Sequence, residues 1–220
     1  LAPSSVQEMA DFAGLGFDLA FKYRNPVMIL SDGVIGQMME KVELDEFKPR
    51  MTEAEIIEKC PWATTGKTPN RERNIITSLD LDSAKQEKHV QHLLDKYNEI
   101  EANEVRYEEF QCSDAEYLLV AYGSSARICQ KAVDLARAKG LKVGLLRPIT
   151  LFPFPKKPLA QYVGKVKGIL TVEMSTGQMI EDVKLSVECK VKVEHFGRFG
   201  GIIPTPDEVV IALEQKIIGG

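Results

Sequence analysis

Apolar and polar positions repeat with a helical period near the beginning of the chain. Ser5 and Glu8 fit a capping box, in which each side chain satisfies a free backbone N–H of the first turn. Asn25-Pro26 ends the periodic stretch, and the apolar run at 27–30 then predicts a short buried strand. The predicted helix has one apolar face, formed by Val6, Met9, Ala10, Ala13, Phe17, Ala20 and Phe21.

The second half of the chain has a different rhythm, in which short apolar runs alternate with helical patterns. Gly140 stands where a glycine commonly follows the end of a helix. Thr205, with Pro206 and Glu208 behind it, is typical of a helix start. Four strand–helix alternations predict an α/β fold with a mostly parallel sheet and helices on both faces. The strands are predicted at 116–123, 141–146, 168–173 and 191–196, and the helices after 123, at 158–165, near 177–187 and from 205.

A polar stretch from residue 40 to about 112 separates these two parts and has few strand signals. Ser83 and Gln86 fit a second capping box, and a helical stripe of apolar residues follows it. The stretch is therefore predicted to be an extended connector that contains one long amphipathic helix at 84–105.

Composition and charge limit the classes of function. The chain has 220 residues, 44% of them hydrophobic, and a net charge of -4, which argues against binding to nucleic acid. No apolar run approaches the roughly 20 residues needed to cross a bilayer, so no membrane association is predicted. The four cysteines are scattered without a C-x-x-C pair, which favours neither an iron–sulfur cluster nor a structural zinc site. These features predict a soluble, cytoplasmic protein.

Three short motifs are weak candidates for a binding site. The Thr-Thr-Gly-Lys-Thr run at 64–68 resembles the end of a phosphate-binding P-loop, but Pro61 stands where that motif needs glycine. His89 and His92 have a spacing that can chelate a metal ion, yet no third ligand is evident and surface histidines are the better interpretation. His195 is expected to make a local hydrogen bond. No metal site is predicted.

Gly123, Ser124 and Ser125 lie between a predicted strand end and a helix N-terminus. Free backbone N–H groups and the helix dipole attract anions at such a place, and ligands of open α/β sheets sit beyond the carboxyl ends of the strands. Two interpretations stay open. Ser124 caps the helix, which is the commoner arrangement, or the three residues form an anion site.

A segment rich in proline and phenylalanine, at 147–155, follows a predicted strand. Aromatic side chains on a stiff backbone suit an interface, and they equally suit the core of their own domain. Arg147, Phe152 and Phe154 of this segment are therefore interface candidates, together with Glu173 at the end of another predicted strand.

Several quoted segments together resemble the α subunit of 2-oxoacid:ferredoxin oxidoreductases. These are LAPSSVQEM, AFKYRNPVMILSDGVIGQM, PWATTGK, DAEYLLVAYGSSAR, LRPITLFPFP and the VEMSTGQM and GGIIPTPDEV segments. The resemblance covers nearly the whole chain in order, and the 2-oxoisovalerate and 2-oxoglutarate types look nearest. It implies oxidative decarboxylation of a 2-oxoacid on thiamine diphosphate, with transfer of electrons to ferredoxin and formation of an acyl-CoA.

The resemblance also implies a division of the chain. Residues 1–45 would be the end of a pyrimidine-binding-type domain, incomplete here, residues 46–112 a partly helical linker, and residues 113–220 a transketolase C-terminal-like domain. The family segment that meets substrate and cofactor is not found in these residues, so no catalytic residue is assigned. Thiamine diphosphate, Mg²⁺ and iron–sulfur clusters are expected on a β subunit and further γ or δ subunits rather than on this chain. Ferredoxin and CoA would act through the complex.

Two other functions compete with this one. The β chain of a thiamine-dependent 2-oxoacid dehydrogenase would carry a similar second domain, but the long connector helix and the segment around Trp62 favour the oxidoreductase. A stand-alone CoA- or anion-binding module would not need the helix and strand predicted at 5–31. We therefore expect a subunit fragment that is inactive by itself and serves mainly architecture and subunit contacts.

Overall fold

The computed structural model describes residues 1–44, 51–64, 66, 69 and 72–219. The chain divides into two compact units. The first consists of Leu1–Val42 with Lys96–Gly220, and the second of Glu43–Asp95. The predicted phosphate-loop run at 64–68 lies largely outside the described residues.

The first unit is built on one five-stranded sheet with the strand order β1-β3-β2-β4-β5. β1 pairs with β3 in the antiparallel sense, and the other neighbours are parallel. The predicted mostly parallel α/β fold is therefore confirmed. The strands are β1 Tyr107–Phe110, β2 Tyr117–Val120, β3 Val143–Pro148, β4 Gly168–Glu173 and β5 Val193–Gly197.

Helices cover both faces of this sheet, as the alternation predicts. On one face the inward side chains of β2, such as Leu119, pack with α5 and α8. On the other face Leu118 and Val120 pack with α6 and α7. Successive side chains of a strand point to opposite faces, so each buried strand supplies both cores. The helices are α5 Gly123–Ala138, α6 Lys156–Ala160, α7 Met179–Ser186 and α8 Pro206–Leu213, which continues as a π-helical turn over Glu214–Ile218.

The start and end motifs predicted for helices in this region are present in the structure. Thr205 and Glu208 form a complete capping box with Pro206 in the first turn. Gly140 stands directly after Lys139, the C-terminal cap of α5, with φ +85°. The short helix predicted at 158–165 is α6, which begins and ends earlier than predicted.

The beginning of the chain forms α1 Val6–Tyr23 and the short α2 Gly33–Gln37. The prediction of a strand at 27–30 is wrong. The backbone there exchanges two hydrogen bonds of 2.8 Å with Leu1, from Leu1 N to Met28 O and from Leu30 N to Leu1 O. A strand needs a longer ladder of pairs, and no strand is assigned to these residues among those described.

In the second unit, α3 Glu53–Lys59 begins with a capping box of Thr52 and Glu55 that the sequence analysis did not identify. The long connector helix is confirmed as α4 Ser83–Asn103. Its predicted cap is wrong, because Asp82 rather than Ser83 accepts the first N–H groups, from Ala84 at 3.0 Å and Lys85 at 3.2 Å.

His89 and His92 are exposed on α4, with ring centroids 6.4 Å apart. No group of three or more His, Cys, Asp or Glu side chains among the described residues is placed to hold a metal ion. Within the same residues, no helix is both long enough and apolar enough to cross a bilayer.

Candidate functional site

A cleft of about 730 Å³ opens at the carboxyl ends of β2 and β4. These two strands are neighbours in the sheet, but the helices that follow them lie on opposite faces, which is where open α/β sheets place their ligands. Loops after β2, β4 and β5 line the cleft together with the segment around α2. The lining consists of Leu30, Ser31, Asp32, Gly33, Val34, Gln37, Met38, Tyr122, Gly123, Ser125, Glu173, Met174, Ser175, Gln178, Phe199, Gly200, Gly201 and Ile203.

Asp32 joins two helices at one side of the cleft. Its Oδ1 accepts hydrogen bonds of 3.0 Å from the N–H groups of Val34 and Ile35 in α2. Its Oδ2 accepts a hydrogen bond of 2.9 Å from Ser124 N at the start of α5. A carboxylate is stabilised at a helix N-terminus by the free N–H groups and by the helix dipole, so Asp32 ties the α2 segment to the second half of the chain.

Gly123 makes this contact possible. It has φ +60°, and a Cβ atom built on it would lie 2.8 Å from Oδ2 of Asp32. A side chain at position 123 would therefore be strained by the backbone and would also displace the carboxylate.

Glu173 caps the other helix that points at the cleft. It is 1% exposed at the end of β4, and its carboxylate accepts hydrogen bonds from the N–H groups of Gln178, Met179 and Ile180 at 3.0–3.2 Å. Ser175 Oγ donates a further bond of 3.1 Å to Glu173. The buried charge is thus matched by backbone donors at the beginning of α7.

His195 fixes the loop after β4 from the neighbouring strand. Its Nε2 lies 3.2 Å from the carbonyl O of Ser175, an oxygen that accepts a hydrogen bond only from a protonated Nε2. Its Nδ1 lies 3.5 Å from Oε1 of Glu173 and 3.4 Å from Oγ1 of Thr171. The predicted local role of this histidine agrees with these contacts.

The cleft carries two carboxylates and no basic side chain among the described residues that line it. Burial raises the pKa of Tyr122, and the charges of Glu173 and Asp32 raise it further. Hydroxyl, amide and thioether groups provide the remaining polar surface. Such a lining suits a neutral or hydrogen-bonding group better than an anion.

The three residues predicted as an anion site lie at this cleft, but not in the way expected. Gly123 and Ser125 line it, while Ser124 is 2% exposed and its N–H is already donated to Asp32. The alternative in which Ser124 caps α5 is wrong, because the helix begins at Gly123 and no side chain of the cap residue Tyr122 bonds to it. The anion site stays a prediction.

The four interface candidates fall into two groups. Arg147, Phe154 and Glu173 are buried inside the first unit, at 3%, 6% and 1% exposure. Phe152 is 59% exposed and meets the ring of Tyr97 edge-on, with centroids 5.9 Å apart. A contact with another subunit therefore stays a prediction, and Phe152 is the candidate with the surface to make it.

Arg147 instead holds the beginning of the chain to the sheet. Its Nη1 donates to Glu8 at 2.9 Å and to Glu108 at 2.8 Å, and its Nη2 donates to the carbonyl of Ala2 at 3.2 Å. Burial alone would raise the pKa of Glu8, but hydrogen bonds from Arg147 and Ser4 outweigh it and lower the pKa. Glu8 is thus an ion-pair partner as well as part of the helix start, where its N–H donates to Ser5 Oγ at 3.1 Å.

Two family models match the chain in succession. The model described as "Pyruvate flavodoxin/ferredoxin oxidoreductase, thiamine diP-bdg" matches residues 1–109, and the one described as "Pyruvate:ferredoxin oxidoreductase core domain II" matches residues 115–209. The chain belongs to the 2-oxoacid:ferredoxin oxidoreductase family. This membership confirms the resemblance seen in the sequence, and it supports the oxidoreductase interpretation over the two alternatives.

Curated relatives in this family are subunits of oxidoreductases. The chain is 47% identical over 204 residues to the ketoisovalerate oxidoreductase subunit VorB of Methanothermobacter marburgensis, a match that covers 91% of this chain and 55% of that protein. It is 33% identical over 236 residues to the 2-oxoglutarate synthase subunit KorA of Methanocaldococcus jannaschii, covering 100% and 63%. The chain thus spans little more than half the length of the VorB subunit it matches.

A solved structure shares the fold of this chain. It is the 2-oxoglutarate:ferredoxin oxidoreductase of Magnetococcus marinus, solved with 2-oxoglutarate, coenzyme A and succinyl-CoA bound. The TM-score is 0.73 at 21% identity, and the match covers 99% of this chain and 42% of that one. At this sequence identity the match supports the fold alone.

The family implies thiamine diphosphate, and the cleft residues do not fit its charged end. The diphosphate and its metal ion need basic groups, free N–H groups or clustered carboxylates. The described lining has no basic side chain, and the N-termini of α5 and α7 are taken by Asp32 and Glu173. No step through this cofactor is therefore derived for these residues.

Proposed function

We propose that the chain is part of the α-type subunit of a 2-oxoacid:ferredoxin oxidoreductase. The enzyme would decarboxylate a 2-oxoacid oxidatively, form an acyl-CoA and reduce ferredoxin. The observation that carries this proposal is the succession of two models of the same family, over residues 1–109 and 115–209. A single shared motif would not require this order along nearly the whole chain.

A branched-chain 2-oxoacid is the substrate that the relatives favour. The identity is 47% to the ketoisovalerate subunits of two Methanothermobacter species but 29–33% to the 2-oxoglutarate synthase subunits. Small apolar side chains of the substrate would then be selected by apolar contacts in the complex, a discrimination worth about 1–3 kcal/mol per methylene.

The part described here would serve mainly architecture and subunit contacts. We assign residues 1–45 to the end of a first domain, 46–112 to a linker and 113–220 to a second domain. Asp32 and Arg147 would hold the first segment against the second domain, because each bonds across the two. Thiamine diphosphate, Mg²⁺ and the iron–sulfur clusters would reside on a β subunit and on γ or δ subunits of a cytoplasmic complex.

The proposal is tested by an activity assay on the complete complex. The full subunit is purified with and without its partner subunits, and CoA-dependent reduction of methyl viologen is measured with 2-oxoisovalerate, 2-oxoglutarate and pyruvate. We expect turnover only in the presence of the partners, with the highest kcat/KM for 2-oxoisovalerate. Turnover by the isolated subunit would overturn the assigned division of labour, and no turnover with any 2-oxoacid would overturn the proposed reaction.

A further inference from the structure

Lysines are concentrated at the amino ends of the parallel strands, on the edge of the sheet opposite the cleft. Lys-Val-Lys stands directly before β4 and again before β5, and Lys139 and Lys142 precede β3. All six lysines are exposed, whereas Val166 is buried and Val191 is half-buried. The lysine edge consists of Lys139, Lys142, Lys165, Lys167, Lys190 and Lys192.

The sheet register sets part of the lysine edge in a row. Lys142, Glu116 and Lys167 are aligned directly before the adjacent strands β3, β2 and β4, and Lys192 before β5 is aligned with Gly168, one position further along. Neighbouring strands are about 4.8 Å apart. The aligned row therefore presents two ammonium groups and one carboxylate along roughly 10 Å of surface, and Lys192 adds a third ammonium group one strand further on.

The acidic side chains at this edge do not balance the lysines. Glu116 pairs with both Lys142 and Lys167, Glu188 pairs with Lys190, and Glu214 pairs with Lys139 at 3.3 Å. Within the part of the chain that the structure describes, no ion pair is found for Lys165 or Lys192. With Asp114 and its partner Arg137 included, seven cations thus face four carboxylates in a chain whose net charge is -4.

We propose that the lysine edge is a docking surface for an acidic protein, and that this protein is the electron acceptor of the proposed reaction. The inference rests on the proposed function. Charge complementarity selects an acidic surface. Stable subunit interfaces are depleted of lysine at their centre and enriched in aromatic residues, so an edge of exposed lysines suits a transient encounter. Docking at the lysine edge would raise the rate at which the acidic protein associates with the complex. No electron would need to pass to this chain.

The test uses the complete complex and an acidic ferredoxin as the probe. Lys165→Glu with Lys192→Glu reverses the two lysines that lack ion pairs. Lys131→Glu with Lys157→Glu makes the same change of charge on exposed lysines of α5 and α6, outside the lysine edge, and serves as the matched control. Reduction of ferredoxin and of methyl viologen is measured at low and high ionic strength.

We expect kcat/KM for ferredoxin to fall about tenfold at low ionic strength in the edge variant and by less than about twofold in the control, because charge steers association. The difference should disappear in about 0.5 M salt, and viologen reduction should be unchanged. Ferredoxin kinetics equal to the control would overturn the inference. So would loss of the partner subunits on size exclusion, which would make the edge a permanent interface. Absence of viologen reduction in the unmodified complex would instead contradict the proposed function.

Discussion

Single carboxylates carry much of the interaction between distant parts of the first unit. Glu104 has a side chain 7% exposed and accepts hydrogen bonds from Lys22 at 2.8 Å, from Tyr23 OH at 2.6 Å and from Arg106. Burial would raise its pKa, but these three donors outweigh burial and lower the pKa from 4.5 to about 2. The ionised form of Glu104 is therefore the form that the fold selects.

This lowered pKa predicts a dependence of stability on pH. A carboxyl with a depressed pKa stabilises the fold fully above its unfolded pKa of about 4.5 and loses that contribution as the pH falls towards about 2. The free energy of unfolding of the unmodified subunit should thus approach that of Glu104→Gln between pH 5 and pH 2.5, as measured by urea titration. Glu101→Gln, exposed in the last turn of α4 just before Glu104, is the control. A constant difference between pH 5 and pH 2.5 would contradict the assigned ion pairs.

Gly123 predicts a second effect at the scale of one residue. Gly123→Ala should lower the free energy of unfolding by more than Gly140→Ala, which also has a positive φ but has open space around its Cβ position. The strain of the left-handed backbone, about 1–2 kcal/mol, is common to both. The excess comes from the contact with Asp32, so it should vanish when Asp32→Ala is combined with Gly123→Ala. If Gly123→Ala stays more destabilising than Gly140→Ala in the Asp32→Ala background, the contact with Asp32 is not the cause.

Residues that bond over long distances in the sequence were the least predictable. Asp32 reads as part of a turn, yet its partner Ser124 lies 92 positions away. Glu8 reads as part of a capping box, yet it pairs with Arg147, 139 positions away. A pattern of neighbouring residues indicates local partners alone. The contact of Asp32 at the cleft and the ion pair of Glu8 therefore become visible only in the folded structure.

Elements were predictable where local signals and burial agree. The strand at 168–173 was predicted to the residue because all six of its positions are buried and apolar or β-branched apart from its two ends. The strand β1 was missed, since its first three positions are exposed and its Tyr-Glu-Glu-Phe sequence has no apolar alternation. The strand predicted at 27–30 failed for the opposite reason, because an apolar run does not show whether a partner strand exists.

The start of α4 gives a prediction at the scale of an element. Asp82→Ala should speed hydrogen exchange of the Ala84 and Lys85 amides about fivefold, since an N-terminal cap contributes about 1 kcal/mol. Ser83→Ala is the adjacent control and should leave both amides within about twofold of the unmodified protein. Faster exchange in Ser83→Ala than in Asp82→Ala would show that Ser83 caps the helix, as the sequence pattern predicted.

At the scale of the whole molecule, the first unit combines two stretches that are separated in the chain by residues 43–95. Residues 1–42 contribute α1 and α2, and residues 96–220 contribute the sheet. Three carboxylates of the first stretch reach the second: Asp32 at the start of α5, Glu40 at Arg127 on α5, and Glu8 at Arg147 on β3. The cleft lies between these stretches, so its shape depends on their bonds.

Arg147 forms the most buried ion pair between the two stretches, so its loss should loosen their contact. Its side chain is 4% exposed, and replacement by methionine leaves Glu8 without its cation and the Ala2 carbonyl without its donor. Breaking a buried ion pair on one side costs about 3–5 kcal/mol. Arg147→Met should lower the free energy of unfolding by this amount and make residues 1–42 accessible to limited proteolysis.

Arg198→Met provides the matched comparison, because Arg198 pairs with the half-exposed Glu208 at 2.6 Å and such surface pairs contribute about 1 kcal/mol or less. A double-mutant cycle of Arg147→Met with Glu8→Gln should show a coupling of at least about 1 kcal/mol. If Arg147→Met were no more destabilising than Arg198→Met, the buried pair would not hold the beginning of the chain. Asp32, Glu40 and Glu104 would then remain as polar contacts between the two stretches, and Asp32→Ala would be the next variant to test for release of residues 1–42 to protease.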